Sequence, residues 1–275
     1  MLAGTSVTAR ILDVAGTSTS VLLAGEGPPV VLIHGAIECG GALWTPVIPA
    51  LATDYRLIVP DFPGLGESTP LPRVDRDSFA NWLRSLCDRL DVVRPTLVAH
   101  SMLGGLATRF ALQHGSLLSR LMVYAAPAIG RYRMPLPLRY RVLRFAVRPT
   151  PANLDRLQRF ALLDKDSTRA RDPVWFDAFS EYTLARTRER HVKATMGRLV
   201  STQAQAVPSE ELARIDVPTA LLWGRQDRMV PLRIAEPTAS RHGWPLFVVD
   251  GAGHVPHIEQ PEAFVETFRA ITGVC

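Results

Sequence analysis

The chain has 275 residues, of which 47% are hydrophobic and 21% charged, so it is long enough and apolar enough to bury a full core. Its formal net charge is +5 at pH 7, yet basic residues are interleaved with apolar and acidic ones, so we expect no nucleic-acid partner. The longest apolar runs have the length of β-strands and no basic leader precedes an apolar stretch, so we expect neither a membrane-spanning helix nor a signal peptide.

The first part of the chain alternates between strand and helix patterns. Two opening strands are expected to pair antiparallel, and the later alternation predicts a mainly parallel sheet with helices on both faces. The predicted strands are residues 7–14, 18–23, 30–33, 56–60, 96–99 and 121–124. The predicted helices are residues 44–53, 78–90 and 103–114.

The alternation stops between Pro127 and Val207, where helical patterns occur without a clear strand. We interpret residues 127–207 as a helical cap inserted between two parts of an α/β core, residues 1–126 and 208–275. After the predicted cap, the second part of the core again alternates between predicted strands and helices. These are strands 219–223 and 246–249, a helix near 234–240 and a closing helix over 261–271 that begins with proline.

The positive charge is concentrated in the predicted cap. Residues 127–207 contain 14 Arg and 2 Lys against 7 Asp and Glu, a net charge of +9, whereas the remainder carries −4. We interpret the basic residues as the solvated faces of amphipathic helices, with a peripheral membrane contact as the alternative. The cysteines are three, an odd number without metal-ligand spacing, which predicts a reducing, cytoplasmic location.

Three candidate catalytic residues each follow a predicted strand, in the order Ser101, Asp227 and His254. Serine is a weak nucleophile until a base removes its proton, and histidine is a base near neutral pH. A buried carboxylate holds such a histidine in the required tautomer and stabilises its protonated form. The three residue types in this order therefore predict a nucleophile, an acid and a base of one site.

Five motifs in this order give the chain a resemblance to the α/β-hydrolases, in particular to capped serine hydrolases of the esterase and carbon–carbon hydrolase type. The motifs are His34-Gly35, Asp61-x-x-Gly64-x-Gly66-x-Ser68, the segment 98–105 around Ser101, Gly224-x-x-Asp227-x-x-Val230-Pro231, and Gly251-Ala252-Gly253-His254 leading to Glu259-Gln260-Pro261-Glu262-Ala263-Phe264. The resemblance implies an α/β-hydrolase fold, with a mostly parallel central sheet, flanking helices and an inserted cap. It implies catalysis without a cofactor, and no His, Cys or carboxylate set has zinc-ligand spacing.

An oxyanion hole is expected from two backbone N–H groups, those of Ala36 and Met102. Met102 follows the nucleophile at a helix start, and Ala36 lies in the loop after His34-Gly35. Glu38 and Cys39 belong to the same loop, and the sequence leaves their orientation open.

The serine segment departs from the family pattern G-x-S-x-G, because Ala99 and Leu103 stand at the two glycine positions. A serine in an ordinary strand-to-helix turn is the alternative interpretation of Ser101. Leu103 is expected at the mouth of the acyl pocket, since a clash inside the turn would cost about 1–3 kcal/mol. The other possibility is that Leu103 fills core beneath the turn.

Several residues compete with the candidate site. His257 is interpreted as a core residue, His100 as packing beneath the serine turn, and His34 as a structural partner of the oxyanion loop. Asp250 is the rival acid and is interpreted as a turn residue at a strand end.

Serine at position 101 separates this chain from haloalkane dehalogenases and epoxide hydrolases, which the motifs resemble but which carry aspartate there. The expected reaction is hydrolysis of an ester, thioester or lactone of a largely apolar small molecule. An apolar pocket roofed by Trp175 and Phe179 is expected, although the same side chains would also serve to pack the cap. Two alternatives stay open: carbon–carbon bond hydrolysis of an anionic diketone-like substrate bound by cap arginines, and ligand binding without turnover. The oligomeric state is not predicted.

Overall fold

The computed structural model describes residues 6–37, 40–202 and 205–274. Glu38, Cys39 and Cys275 lie outside the described residues. The strands are β1 (Val7–Val14), β2 (Thr17–Ala24), β3 (Pro29–Ile33), β4 (Arg56–Pro60), β5 (Thr96–His100), β6 (Arg120–Tyr124), β7 (Thr219–Gly224) and β8 (Leu246–Val249). The α-helices are α1 (Ile48–Leu51), α2 (Arg76–Arg89), α3 (Gly104–His114), α4 (Leu136–Val147), α5 (Pro151–Ala161), α6 (Lys165–Arg171), α7 (Pro173–Arg188), α8 (Arg190–Thr202), α9 (Ser209–Leu212), α10 (Glu236–His242), α11 (Pro256–Glu259) and α12 (Pro261–Thr272).

All eight strands belong to one sheet in the order β1-β2-β4-β3-β5-β6-β7-β8. The β1–β2 and β2–β4 pairs are antiparallel, and the remaining pairs are parallel. The sequence-based prediction of an antiparallel opening and a mainly parallel sheet is confirmed. Every residue of β5 and β7 is buried, as expected for continuous apolar strands covered on both faces.

The helix predicted over residues 44–53 is confirmed only at Ile48–Leu51. The structure has a 3-10 turn at Gly41–Trp44 followed by the short helix α1. Pro46 and Pro49 explain the interruption, because proline lacks the N–H that an α-helix needs and its ring clashes with the carbonyl four residues earlier. Pro49 is accommodated in the first turn of α1, where that N–H would have no partner.

Between β6 and β7 the described residues form helices and no strand. Helices α4 to α8 therefore occupy the segment that the sequence predicts as a cap, and α4 packs against α5 while α7 contacts both α5 and α8. In the described part of the chain, no helix is long and apolar enough to cross a membrane.

Candidate active site

Ser101 lies at the sharp turn where β5 ends and a 3-10 turn leads into α3. Its backbone has a φ of +56°, a left-handed conformation that costs a non-glycine residue about 1–3 kcal/mol. The turn lifts the serine side chain beyond the carboxyl end of the sheet, which is where open α/β sheets bind ligands. The strained turn therefore agrees with a positioned nucleophile more than with an ordinary turn serine.

His254 connects Ser101 to Asp227. Its Nε2 atom lies 3.0 Å from the Ser101 hydroxyl oxygen, and its Nδ1 atom lies 2.8 Å from Asp227 Oδ2. All three side chains are buried. An ionised carboxylate only accepts hydrogen bonds, so Nδ1 carries the proton and Nε2 is left to accept the one on the serine hydroxyl. The structure thus brings together all three residues that the sequence suggested.

Asp227 is held by backbone groups that follow it in the same loop. Its Oδ1 atom accepts hydrogen bonds from the N–H groups of Met229 at 2.8 Å and Val230 at 2.9 Å. The other oxygen remains available to the histidine. Asp250, the rival acid, is 74% exposed and forms an ion pair with Arg225 instead.

The other histidines near the site are buried and support the packing roles expected of them. His257 stacks on Trp44, with ring centroids 4.4 Å apart, and is hydrogen-bonded to the Tyr124 hydroxyl. Burial lowers the pKa of His257 to about 3. The Nε2–H of His100 donates to the His254 carbonyl at 3.0 Å, which ties the end of β5 to the loop of the candidate base.

The loops after β3 and β4 meet beside the serine turn. His34 accepts a hydrogen bond from the Phe62 N–H at Nε2, and burial lowers the pKa of its imidazole to about 4. Asp61 accepts from the N–H groups of Gly41 and Glu67, and burial raises the pKa of its carboxyl. These bonds hold the loop that carries Ala36.

Both expected oxyanion donors are buried next to this junction. Ala36 follows the end of β3, and Met102 lies in the 3-10 turn directly after Ser101. Their backbone N–H groups therefore come from the two segments that the sequence indicated. Their action on a substrate oxygen remains a prediction.

Leu103 does not lie where we expected it. Its side chain is fully buried in the main core and is not among the residues that line the apolar cavity beside the site. The crowded position is Gly104, where a Cβ atom would lie 2.5 Å from that of Ala126. Leu103 therefore packs into the core at the end of the 3-10 turn, one residue before α3 begins.

An apolar cavity of about 60 Å³ lies between helices α5 and α7 and the rest of the protein, next to the site. Trp175 and Phe179 of α7 line it and stack on each other, with centroids 5.1 Å apart. Three further lining residues follow candidate site residues in the chain. They are Ile37 after Ala36, Met229 after Asp227 and Val255 after His254.

Sequence reasoning missed the part that Glu259 plays. Its buried carboxylate accepts hydrogen bonds from the N–H groups of Leu163 at 2.6 Å, Gly253 at 2.9 Å and Val255 at 3.3 Å. Burial raises the pKa of this carboxyl, and the three backbone donors oppose the rise. Its place in the motif that follows His254 was the available signal, but the sequence does not show which backbone groups it contacts.

No group of three or more His, Cys, Asp or Glu side chains among the described residues has an arrangement that would hold a metal ion. The Cys87 thiol is half-buried, and burial raises its pKa to about 12, so it has little thiolate character.

Most of the chain matches a single protein family. The family model described as the alpha/beta hydrolase family matches residues 30–267. The pimeloyl-[acyl-carrier protein] methyl ester esterase of Aeromonas hydrophila is 28% identical, covering 93% of this chain and 100% of its own. A 2-hydroxy-6-oxononadienedioate/2-hydroxy-6-oxononatrienedioate hydrolase of Cupriavidus pinatubonensis is also 28% identical, with 91% and 85% covered.

A solved structure extends the comparison to the fold. The 2-hydroxy-6-oxo-6-phenylhexa-2,4-dienoate hydrolase from Rhodococcus sp. strain RHA1 superimposes with a TM-score of 0.84 at 20% identity. The match covers 98% of this chain and 99% of the other. At this identity the likeness establishes the shared fold alone.

Proposed function

The chain belongs to the alpha/beta hydrolase family and is a hydrolase, and from this premise we propose that it is a serine hydrolase that cleaves an ester, thioester or lactone of a largely apolar small molecule. The main support for the proposal is the hydrogen-bonded chain of side chains from Ser101 through His254 to Asp227.

In the first half of the reaction, His254 Nε2 takes the proton of the Ser101 hydroxyl as the serine oxygen attacks the substrate carbonyl carbon. Negative charge then develops on the carbonyl oxygen, where the N–H groups of Ala36 and Met102 stabilise it. The bond between the carbonyl carbon and the leaving oxygen or sulfur breaks, and the protonated histidine gives its proton to that atom. The alcohol or thiol departs as the acyl-enzyme forms, whereas the hydroxyl of an opened lactone stays attached to the acyl group. Asp227 orients the imidazole throughout and stabilises its charge.

In the second half, His254 takes a proton from water, and the resulting hydroxide attacks the acyl carbon. The bond to the serine oxygen breaks, Ser101 regains a proton from His254, and the carboxylic acid leaves. No cofactor enters these steps, since the nucleophile, the base and the expected oxyanion donors all come from the chain.

The apolar cavity supports an apolar acyl group. None of its lining side chains is charged, and Gln158 and Thr183 are its polar members. A lining of this kind would leave a small anionic substrate without a partner for its charge. This favours ester-type hydrolysis over the carbon–carbon alternative, whose anionic substrate would need a cationic partner in the pocket. The Aeromonas relative, named as a methyl ester esterase, is in keeping with the same choice.

The cavity is smaller than the ligand it would hold. Its volume of about 60 Å³ compares with about 150 Å³ for an apolar cavity that accepts benzene in another protein. Binding of an acyl group of that size therefore needs the lining side chains of α5 and α7 to shift away from the core. The residues between them and the core form an apolar contact that such a movement would open, namely Leu43, Leu162, Phe176, Val255 and Ile258.

The proposal is tested with a series of nitrophenyl esters of increasing acyl length, assayed on the wild-type protein and on Ser101→Ala. We expect turnover by the wild type that rises with acyl length until the cavity is filled, and loss of turnover by about four orders of magnitude in the variant. Equal turnover by both proteins would place the chemistry elsewhere.

A further inference from the structure

Helix α4 has two apolar faces, and only one of them is covered. Leu138, Val142 and Phe145 are buried against the rest of the protein. On the opposite side, four large apolar residues are 60–76% exposed: Leu136, Tyr140, Leu143 and Val147. At about 100° per residue these four positions fall within about 60° of arc, so they form a single ridge along the helix. We call them the α4 ridge.

Arginines surround the α4 ridge, and no acid balances them nearby. Residues 127–150 contain six Arg and no Asp, Glu or Lys. Arg139 and Arg144 flank the ridge on its two sides, and Arg131, Arg133 and Arg148 extend the charge beyond the ends of the helix. All five of these arginines are exposed.

The neighbouring helices show how basic residues are balanced elsewhere in this segment. Arg159 pairs with Asp155 and Asp166, and Arg169 pairs with Asp177. None of the ion pairs formed between described residues involves an arginine of the 127–150 stretch. The exposed arginines of α4 thus differ from the paired arginines of α5 and α6, because they have no ion-pair partner among the described residues.

We infer that the α4 ridge docks the protein on an anionic lipid surface, with the apolar side chains inserted among the acyl chains and the arginines at the headgroups. A helix with an apolar face flanked by arginines has the profile of an interfacial membrane helix. Each arginine near an anionic surface raises partitioning by about fivefold, so several acting together give appreciable binding. The long arginine side chains reach the headgroup level while their methylene groups cover apolar surface.

Two other occupants fit the ridge less well. A stable protein interface needs about 800 Å² from each partner, which four side chains on one convex helix do not supply. A second copy of the chain joined through the same ridge would bring the two sets of arginines together without any acid between them. An anionic lipid surface supplies the opposite charge, and binding to it is the sum of this attraction and the apolar area that is inserted.

The position of α4 links this surface to the apolar cavity. The helix packs on α5, with the Arg141 guanidinium 5.0 Å from the Phe160 ring centroid and Arg144 hydrogen-bonded to Asn153. The inner face of α5 lines the cavity through Leu154, Leu157 and Ala161. A membrane bound to the α4 ridge therefore connects with the cavity lining through α4 and then α5.

The test is flotation of the protein with vesicles of phosphatidylcholine mixed with phosphatidylglycerol in equal amounts, compared with vesicles of phosphatidylcholine alone. The protein carries Ser101→Ala, so that hydrolysis of lipid does not enter the measurement and the result is independent of the proposed function. Leu143→Glu removes an apolar residue of the ridge and keeps a good helix former, and Arg139→Glu reverses a flanking charge. The matched control is Val93→Glu, because Val93 is as exposed as Leu136 and lies in a loop between α2 and β5.

We expect binding to the anionic vesicles that weakens as salt is raised, and little binding to the neutral ones. Leu143→Glu and Arg139→Glu should each reduce partitioning by about tenfold or more, whereas Val93→Glu should leave it unchanged. Thermal unfolding of each variant verifies the fold. Absence of binding to anionic vesicles, or binding that Leu143→Glu leaves intact, would overturn the inference. Concentration-dependent self-association that Leu143→Glu abolishes, without vesicle binding, would assign the ridge to a dimer interface instead.

Discussion

The carboxylate of Glu259 accepts a hydrogen bond from the backbone N–H of Leu163 at 2.6 Å, across 96 residues of sequence. Leu163 lies between α5 and α6, whereas Glu259 ends the helix that follows His254. The same carboxylate accepts from Gly253 and Val255, the two neighbours of the histidine. The buried Glu259 side chain thus holds the backbone on both sides of His254 and joins it to the loop between α5 and α6.

Replacement of Glu259 by glutamine is expected to loosen this junction. The amide offers one acceptor oxygen and turns an N–H group toward backbone donors, so stability should fall by about 1–3 kcal/mol. Displacement of the histidine should also slow labelling of Ser101 by a fluorophosphonate about ten- to a hundredfold, measured well below the unfolding temperature. Glu262→Gln, at an exposed position on α12, is the control. A normal labelling rate in a destabilised variant would limit Glu259 to a structural role.

Asp227→Asn is expected to preserve the fold and to lower kcat for a nitrophenyl ester by about four orders of magnitude. The asparagine amide favours the wrong tautomer of His254 and cannot stabilise its charge. The matched variant Asp250→Asn should retain near-normal turnover, because Asp250 is exposed and pairs with Arg225. The opposite ranking of the two variants would exchange the roles given to these acids.

Alanine at position 175 or 179 is expected to enlarge the apolar cavity and to shift the preferred acyl chain toward longer esters. A change of one or two methylenes in an apolar pocket alters kcat/KM by about ten- to two-hundredfold, so the ratio between long and short esters is the measurement. Val174→Ala, at an exposed position on the same helix, should leave that ratio unchanged. If Trp175→Ala and Phe179→Ala lower only stability, the two rings serve to pack α7 onto the core.

The buried His257 is expected to make stability depend on pH below neutrality. Its pKa falls from 6.5 in the unfolded chain to about 3 in the folded protein, so protonation favours unfolding. Its stabilising contribution is complete above pH 6.5 and is lost as the pH falls toward 3. Between these values the group contributes a slope of about 1.4 kcal/mol per pH unit to the free energy of unfolding.

The measurement is denaturant unfolding of the wild type and of His257→Phe at several pH values between about 6 and 4. The buried carboxyls of Asp61 and Glu259 have raised pKa values and act in the opposite direction, so the difference between the two proteins is the quantity to compare. The variant should show the smaller loss of stability on acidification. Parallel pH profiles would mean that the pKa of His257 is the same in the folded and the unfolded protein.

The sequence was sufficient for most strands and for the three residues of the candidate site. Continuous apolar runs such as Val30–Ile33, rich in β-branched residues, suit strands buried on both faces. Each of the three site residues lies in the turn or loop that follows such a strand. Residues 44–53 were harder, because their apolar pattern suits a helix while Pro46 and Pro49 break it.

Other features depend on contacts between distant segments. Leu103 departs from the glycine of the family pattern, but the position without room for a side chain is the next one. There, a Cβ on Gly104 would collide with Ala126. The partners of the Glu259 carboxylate come from two separate loops, which no local pattern indicates. The α4 ridge shows the same limit, because periodicity identifies an apolar face but does not say whether another element covers it.

We propose Ser101 as the nucleophile of this hydrolase. The most direct measurement is labelling of the native protein with a fluorophosphonate, followed by mass spectrometry of the digested peptides, with Ser101→Ala and heat-unfolded protein as controls. We predict one adduct per chain, located on Ser101, and none in the variant or in the unfolded protein. Labelling of Ser101→Ala at the wild-type rate, or hydrolysis of esters by a wild-type protein that the probe does not modify, would show that Ser101 is not the nucleophile.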